Sequence, residues 1–312
     1  MLNKISEYLK NFVTDFSEDD SLIFNNKVIK IDKNNFSEIK EENNKRKIAF
    51  IDGGQAEILS AGNFCLSFIR IGALVYQDNK MIKDYQHEFY LLTTAKYQNN
   101  DLTYESKIFT NTPSLIYEAD LTISSNDPSI RNGIERAPIS KVSSMARRFA
   151  ELSLAKKVEA DIIVVDGTLE PTFRNEEKYL DLPENVCSLA KSSSLFTASG
   201  NSPVVLLNRI GLHGCWNYLI EDDSFFVKLH PRSKHVFRFM GNKDFLTALT
   251  ENSRDALFLG YPYGLIAVDR FARVSSSEKK NMLASFLLRN ENKNLSDYLS
   301  TINAHDILDR IS

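Results

Sequence analysis

Two apolar segments of this chain end in the same way, in an Asp-Gly pair. The first is KIAFIDGG, which reaches Asp52, and the second is ADIIVVDG, which reaches Asp166. Between them, apolar residues at helical spacing without Gly or Pro predict a helix over residues 139–160. The β-branched run at 162–165 is typical of a strand that is covered on both faces. A helix that leads directly into such a strand indicates an α/β fold.

The remaining segments predict strands and helices around this unit. FCLSFIRIGALVY and HEFYLL follow the first Asp-Gly pair and predict an antiparallel meander. Residues 94–135 are polar and are predicted as an excursion with at most one short helix, whereas 203–215 and 216–240 are predicted as strands. We divide the chain into an N-terminal helix and connector (1–46), a main domain (47–275) and C-terminal helices packed on the same domain (276–312).

Composition excludes several classes of protein. With 43% hydrophobic residues among 312, the chain can bury a large core. It lacks the roughly 18 consecutive apolar residues of a membrane helix and the apolar block of a signal peptide, so we predict a cytoplasmic protein without a membrane partner. Three cysteines without a CxxC pair argue against a disulfide framework or a zinc site. The net charge of −3 means that any nucleic-acid surface must be local.

Four acidic residues are candidates for a shared catalytic site. They are the strand-end residues Asp52 and Asp166, Glu151 on the predicted helix, and Asp269 on a later helix, where apolar neighbours predict burial. Singly, each has an ordinary explanation, such as an Asp that caps a turn or a Glu that pairs with Arg147 on a helix surface. Together they are the oxygen ligands that Mg²⁺ or Mn²⁺ prefers, without His or Cys to favour zinc. The corresponding reaction is two-metal hydrolysis of phosphodiester bonds.

A cationic stretch provides a candidate surface for a polyanion. Between residues 224 and 243 there are five cations and no acid, namely Lys228, Arg232, Lys234, Arg238 and Lys243. In a hairpin, Lys228, His230 and Phe226 share one face by two-residue alternation, and Phe237 and Phe239 share one on the return strand. Cations beside aromatic rings are typical of a track for single-stranded DNA. An ordinary basic hairpin with buried Phe residues is the alternative, and Lys191 is either a phosphate contact or a solvated Lys.

Six segments in this order resemble the NurA family, prokaryotic DNA-end-processing nucleases that work with the HerA hexameric ATPase. The segments, which extend from about residue 47 to 274, are IDGG, RRFAELSLA, VVDGTLEP, SLAKSS, FFVKLHPRSKHVFRF and GYPYGLIAVDRFARV. By this resemblance Asp52, Glu151 and Asp166 match the family's metal-binding acids. Asp269 falls where archaeal members often have His, and Gly264 replaces a Pro. Tyr261 of the last segment joins Lys191 and the hairpin residues as a nucleic-acid contact.

The resemblance implies a fold and an activity. It implies an RNase H-like core with a central mixed β-sheet flanked by helices, a homodimer, and a manganese-dependent enzyme that also accepts Mg²⁺. The activity would be 5′–3′ exonuclease and single-strand endonuclease cleavage in the resection of double-strand breaks, with a HerA-type ATPase as partner.

Two other functions stay open. One is a catalytically silent nucleic-acid-binding or assembly subunit, although all four acids are present. The other is an RNase H-like ribonuclease, because recognition of the 2′-hydroxyl leaves no short motif. Serine hydrolysis is disfavoured by the absence of GxSxG, and cysteine hydrolysis by the absence of a Cys in a nucleophile context. ATP hydrolysis is disfavoured by the absence of a phosphate-binding loop.

Overall fold

The computed structural model describes residues 1–14, 20–40, 45–256, 258–292, 294–295 and 298–299. Its helices are α1 (Leu2–Thr14), α2 (Lys141–Ala155), α3 (Pro203–Ile210), α4 (Leu246–Asn252), α5 (Tyr263–Ala272) and α6 (Ser276–Leu287). Its strands are β1 (Ser21–Phe24), β2 (Lys27–Lys30), β3 (Phe36–Glu38), β4 (Ile48–Ala61), β5 (Phe64–Gln77), β6 (Lys80–Gln98), β7 (Asp101–Phe109), β8 (Ile123–Ser124), β9 (Ile162–Asp166), β10 (Val186–Ala190), β11 (Phe196–Thr197), β12 (Trp216–Glu221), β13 (Ser224–Lys228) and β14 (Phe237–Met240).

An 11-stranded mixed sheet forms the centre of the fold. Its order is β3-β12-β13-β14-β10-β9-β4-β5-β6-β7-β8, and a smaller sheet has the order β11-β1-β2. Strand β9 runs parallel to both of its neighbours, β4 and β10, whereas the other pairs of the large sheet are antiparallel. The predicted α/β class with a mixed sheet flanked by helices is therefore confirmed.

Helices cover the middle of this sheet on both faces. Along β4 and β9, Ile51 and Val165 are buried in a core with α2, whereas Phe50 and Val164 are buried on the opposite face with α4 and α5. Successive strand residues point to opposite faces, so the uninterrupted apolar run of β9 serves two cores at once. The strand covered on both faces, as predicted, lies at the centre of the fold.

The predicted helix at 139–160 is α2, which is shorter at both ends. The predicted excursion at 94–135 is wrong for 94–109, whereas 110–135 is irregular apart from β8 and one short 3-10 helix, Glu118–Leu121. Strand β6 extends to Gln98 and pairs with β7 through the turn Asn99-Asn100, in which both residues have positive φ. Asn tolerates this conformation, so the pair forms a two-residue hairpin turn. The polar side chains of these strands are accommodated on an exposed face or pair with each other, as Thr93 and Ser106 do at 2.9 Å.

Two further segments differ from expectation. Residues 203–210 form helix α3 rather than a strand, because Pro203 suits the first helical turn and Leu206 and Leu207 are buried together on one side. The predicted connector within 1–46 contains β1, β2 and β3, and β3 pairs with β12 in the large sheet.

Helix α6 begins with a capping box between Ser275 and Glu278, at the position where the sequence predicts a C-terminal helix. No described helix has the length and apolar character needed to cross a membrane.

Candidate active site

Asp52 and Asp166 are neighbours because of the register between two parallel strands. Ile51 pairs with Val165 at the end of the β4–β9 ladder, and each of these residues is followed by one of the two Asp residues. The two Asp residues therefore lie on adjacent strands in the middle of the sheet. Asp166 is the last residue of β9, as predicted, but the strand predicted to end at Asp52 continues to Ala61, because Gly53 and Gly54 pair with β5 and form no turn.

Glu151 reaches the same place from α2, which packs across β4 and β5. Its carboxylate is buried, and Oε1 lies 3.1 Å from Arg147 Nη1 without hydrogen-bond alignment. Arg147 Nη1 also lies 3.9 Å from Asp52 Oδ1 and donates a hydrogen bond to the carbonyl of Gly53 at 2.8 Å. Arg147 thus links the helix acid to the strand acid. The spacing of four residues predicts the contact of Arg147 with Glu151, but nothing in the sequence indicates its contact with Asp52.

Lys191 and Tyr261 approach the site from the side of Asp166. The Lys191 Nζ donates to Asp166 Oδ2 at 2.6 Å, and the Tyr261 hydroxyl donates to Oδ1 of the same carboxylate at 3.4 Å. The Lys191 Nζ also lies 5.7 Å from the centroid of the Tyr261 ring. Lys191 follows β10, the parallel neighbour of β9, which explains why it reaches Asp166.

The gathered charges change the acidity of these groups. Burial raises the pKa of Asp52 to about 7, and the charges of Glu151 and Asp166 add to this effect. Burial also raises the pKa of Glu151, against the lowering effect of Arg147. Burial lowers the pKa of Lys191, but its hydrogen bond to Asp166 and the nearby carboxylates together raise it. Strongly perturbed groups gathered in one place are typical of a functional site.

Asp269 lies at the edge of this group. The sequence predicts that it is buried, but in the structure it is partly exposed. Its side chain is 35% exposed and pairs with Arg273 one turn later on α5. The buried stripe of the helix consists of Leu265, Val268 and Ala272, so the carboxylate lies beside the stripe and not within it. Its negative charge nevertheless acts on Lys191, which places Asp269 near the site.

The oxygen atoms of these acids are the type of ligand that a hard divalent cation prefers. Asp52, Glu151 and Asp166 offer carboxylate oxygens, and Glu151 Oε1 is buried without a hydrogen-bond partner. In the described part of the chain, no three Asp, Glu, His or Cys side chains converge closely enough to hold an ion. Instead, Arg147 pairs with two of these acids and Lys191 with the third. The acids are thus compensated by cations of the protein itself.

The predicted basic hairpin divides into exposed and buried parts. Arg232 is exposed, and Lys228 is half-buried and donates to Asn208 Oδ1 at 3.2 Å. Arg238 is only 5% exposed and makes a bidentate pair with Glu170, so it is not available as a DNA contact, in contrast to the expectation from sequence. His230 is half-buried, and its Nδ1 accepts a hydrogen bond from the backbone of Arg232 at 3.2 Å.

The aromatic residues of this hairpin do not form the predicted track. Phe237 and Phe239 are buried in the core with α4 and α5, and Phe226 is buried on the other face of the sheet. The cause is that both faces of this part of the sheet are covered. The predicted track requires one face of the hairpin to be open to solvent. The alternative of buried Phe residues is therefore the one that the structure supports.

A groove of about 860 Å³ lies away from the acids. Residues near the ends of β4, β5 and β6 line it together with α6, among them Ile58, Leu66, Tyr90 and Phe286. Large apolar grooves are the usual first candidates for ligand sites. None of the four acids lines this groove, and its mostly apolar wall offers few partners to a phosphate. The cluster of Asp52, Glu151 and Asp166 is therefore the better candidate active site.

Several known structures align with this chain. The NurA nuclease from Sulfolobus solfataricus aligns with a TM-score of 0.51 and 14% identity over 91% of this chain and 93% of that one. The catalytic domain of human Endonuclease V aligns with a TM-score of 0.38, 12% identity and coverages of 78% and 85%. Endonuclease V from Ciona intestinalis, in complex with inosine-containing DNA, aligns with a TM-score of 0.38 and 12% identity over 76% of this chain and 87% of that one. No family model and no curated protein sequence matches the chain. The first of these alignments shows a NurA-like fold.

Proposed function

We propose that this chain, with its NurA-like fold, is a metal-dependent nuclease that hydrolyses phosphodiester bonds in DNA. The observation that carries the proposal is the meeting of Asp52 and Asp166 on adjacent parallel strands with Glu151 from α2. Buried carboxylates that repel one another destabilise a fold. A cluster of this kind is therefore typical of a site that binds a cation or transfers a proton.

In this proposal Asp52, Glu151 and Asp166 hold Mn²⁺ or Mg²⁺, and Asp269 completes the site. Such ions activate water and stabilise the leaving oxygen in phosphodiester hydrolysis. Arg147 and Lys191 compensate the same carboxylates when no ion does so. Because each of these cations is partly exposed, each can turn from its acid toward a phosphate of the substrate.

Lys191 is proposed as a substrate contact, whereas Tyr261, which the sequence also predicts as one, is too buried for that role. Lys191 is half-exposed beside Asp166, so its ammonium is placed to hold a phosphate oxygen near the strand ends. Tyr261 is buried, and its hydroxyl orients the Asp166 carboxylate. The exposed Arg232 and the half-buried Lys228 extend positive charge along the end of β13 and the loop after it, and the half-buried His230 lies between them in the chain.

The finer activity is also part of the proposal. On the strength of the NurA-like fold and the six sequence segments, we propose 5′–3′ exonuclease and single-strand endonuclease cleavage in DNA end resection. The proposed assembly is a homodimer that works with a HerA-type hexameric ATPase. The chain has no phosphate-binding loop motif, so ATP hydrolysis falls to the partner.

The test is a cleavage assay on a panel of labelled substrates. Purified protein is incubated with 5′- and 3′-labelled single-stranded DNA, single-stranded RNA and an RNA–DNA hybrid, in Mn²⁺, Mg²⁺ or EDTA. We expect cleavage of DNA with either metal and none in EDTA. Preferential cleavage of RNA or the hybrid would favour the ribonuclease, and DNA binding without cleavage of any substrate would favour the silent subunit.

A further inference from the structure

An exposed aromatic pair lies next to the acids, in a part of the chain that the proposed function has not used. Phe258 and His235 stack with ring centroids 4.8 Å apart and an angle of 26° between the rings. Phe258 is 39% exposed, and His235 is also exposed. An accessible aromatic ring beside a cationic loop is a candidate contact for a nucleobase.

This pair is connected to Asp166 through Tyr261. The Phe258 ring meets the buried Tyr261 ring edge to face, with centroids 5.9 Å apart and an angle of 89°. The Tyr261 hydroxyl in turn donates to Asp166 Oδ1. The other side of the pair is supported in the same way, because His235 stacks on the buried Phe237, whose ring centroid lies 5.1 Å from that of Tyr261. Four rings therefore lead from the surface to a carboxylate of the site.

The backbone fixes this arrangement. The amide of Tyr261 donates to the carbonyl of Phe258 at 3.2 Å, so both rings belong to one tight turn. Gly260 occupies the turn with φ of +93°, and a Cβ there would lie 2.5 Å from Ser233 Cβ. Ser233 Oγ accepts from the amide of His235 at 3.0 Å. Gly260 thus allows the turn to lie directly against the loop that holds His235.

We infer that the Phe258 ring, backed by His235, is a platform on which a nucleobase of single-stranded DNA stacks while its backbone lies at the acidic site. The inference rests on the proposed nuclease function and adds a base contact to it. Stacking on a π-face accepts every base, so the platform would position the strand without reading its sequence. The exposed Arg232 and Lys234, in the same loop as His235, are placed to hold the neighbouring phosphates.

The experiment compares DNA binding by the full chain and three variants in EDTA, where the substrate stays intact. Phe258→Leu keeps an apolar side chain but removes the ring, and Phe258→Trp restores a ring. Phe109→Leu makes the same change at an exposed Phe on β7, away from the acids. Binding is measured by fluorescence anisotropy of a labelled thymine oligonucleotide at several salt concentrations. The emission of a single 2-aminopurine, which falls when the base stacks, is read in a second oligonucleotide.

We expect Phe258→Leu to weaken binding roughly 5- to 150-fold, the range of one base stacked on an aromatic ring, with an unchanged salt slope because no phosphate contact is lost. It should also restore the 2-aminopurine emission, whereas Phe258→Trp and Phe109→Leu should behave like the wild type. Wild-type affinity and quenching in Phe258→Leu, or no binding by the wild type, would overturn the platform. Cleavage is scored separately, so an inactive wild-type protein that shows the expected binding pattern would overturn the nuclease and not the platform.

Discussion

Gly53 and Glu151 approach so closely that a Cβ atom on residue 53 would lie 2.6 Å from Glu151 Oε1. The same atom would lie 2.8 Å from Arg147 Cγ. Only glycine at this point of β4 leaves room for α2 to bring its acid against the strand beside Asp52. The second residue of the Asp-Gly pair is therefore part of the site geometry, and it lies within β4, where the sequence predicts a turn.

We predict that Gly53→Ala lowers cleavage at least tenfold while the protein stays folded. The atoms that must move all belong to side chains, those of Glu151, Ile71 and Arg147, so the change acts on the position of the acid more than on the backbone. A displacement of about 1 Å in a catalytic group can reduce the rate roughly 100-fold. Gly62→Ala is the matched control, because nothing lies within 4 Å of a Cβ there. Equal turnover in the two variants would contradict this account of Gly53.

Arg238→Ala should lower stability and leave the salt dependence of DNA binding unchanged. The buried guanidinium holds Glu170 in two hydrogen bonds, and its loss should cost about 2 kcal/mol in the free energy of unfolding. Arg232→Ala should have the opposite pattern, with little loss of stability and a log–log salt slope smaller by about one. Urea unfolding and anisotropy titrations distinguish them. A reduced slope in Arg238→Ala would mean that this Arg leaves Glu170 to bind phosphate.

Glu278 provides a prediction for the pH dependence of stability. Its pKa is lowered to about 2, first by the hydrogen bond from the backbone of Ser275 and then by the one from Arg70. A carboxylate with a depressed folded-state pKa stabilises the protein above its unfolded value, near 4.5, and this stabilisation declines as the pH falls toward 2. Glu278→Gln should therefore show a melting-temperature deficit that is constant from pH 7 to 5 and smaller at pH 3. A deficit of the same size at pH 3 would show that the charge of Glu278 is not its cause.

Part of the site was predictable because both Asp residues follow strongly apolar runs. Asp166 ends β9 as predicted, whereas Asp52 lies within β4, because Gly53 and Gly54 continue the pairing with β5. What the sequence could not provide is the register of β4 against β9, which involves residues more than 100 positions apart. The link between Asp52 and Glu151 through Arg147 has the same long-range origin.

The errors in the basic hairpin have one physical cause. Alternation assigns the residues of a strand to two faces but does not say whether one face is open to water. In β13 and β14 both faces are covered, so Arg238 is buried with Glu170 and the rings of Phe226 and Phe239 lie in different cores. The platform residue Phe258 was missed because it lies in an irregular turn without periodic neighbours.

Asp269 is the least buried of the four acids, and its substitution tests whether it belongs to the site. Asp269→His should retain more cleavage in Mn²⁺ than in Mg²⁺, because imidazole suits the softer ion, and Asp269→Ala should lose activity with both. Arg273→Ala removes the ion-pair partner of Asp269 and serves as the control. Activation curves for both metals provide the measurement. Wild-type curves in both Asp269 variants would assign this carboxylate to its pair with Arg273 alone.

The central claim is that Asp52 and Asp166 are the core of a nuclease site, and the turnover of Asp52→Asn and Asp166→Asn tests it most directly. Cleavage of labelled single-stranded DNA in Mn²⁺ is compared with the wild type and with Asp84→Asn, which makes the same change at an exposed position of β6. Circular dichroism confirms folding of each variant. Because an amide keeps the shape but loses the charge, the account predicts a loss of more than about 100-fold in both site variants and none in Asp84→Asn. Retention of more than about a tenth of wild-type turnover in either folded site variant would contradict it.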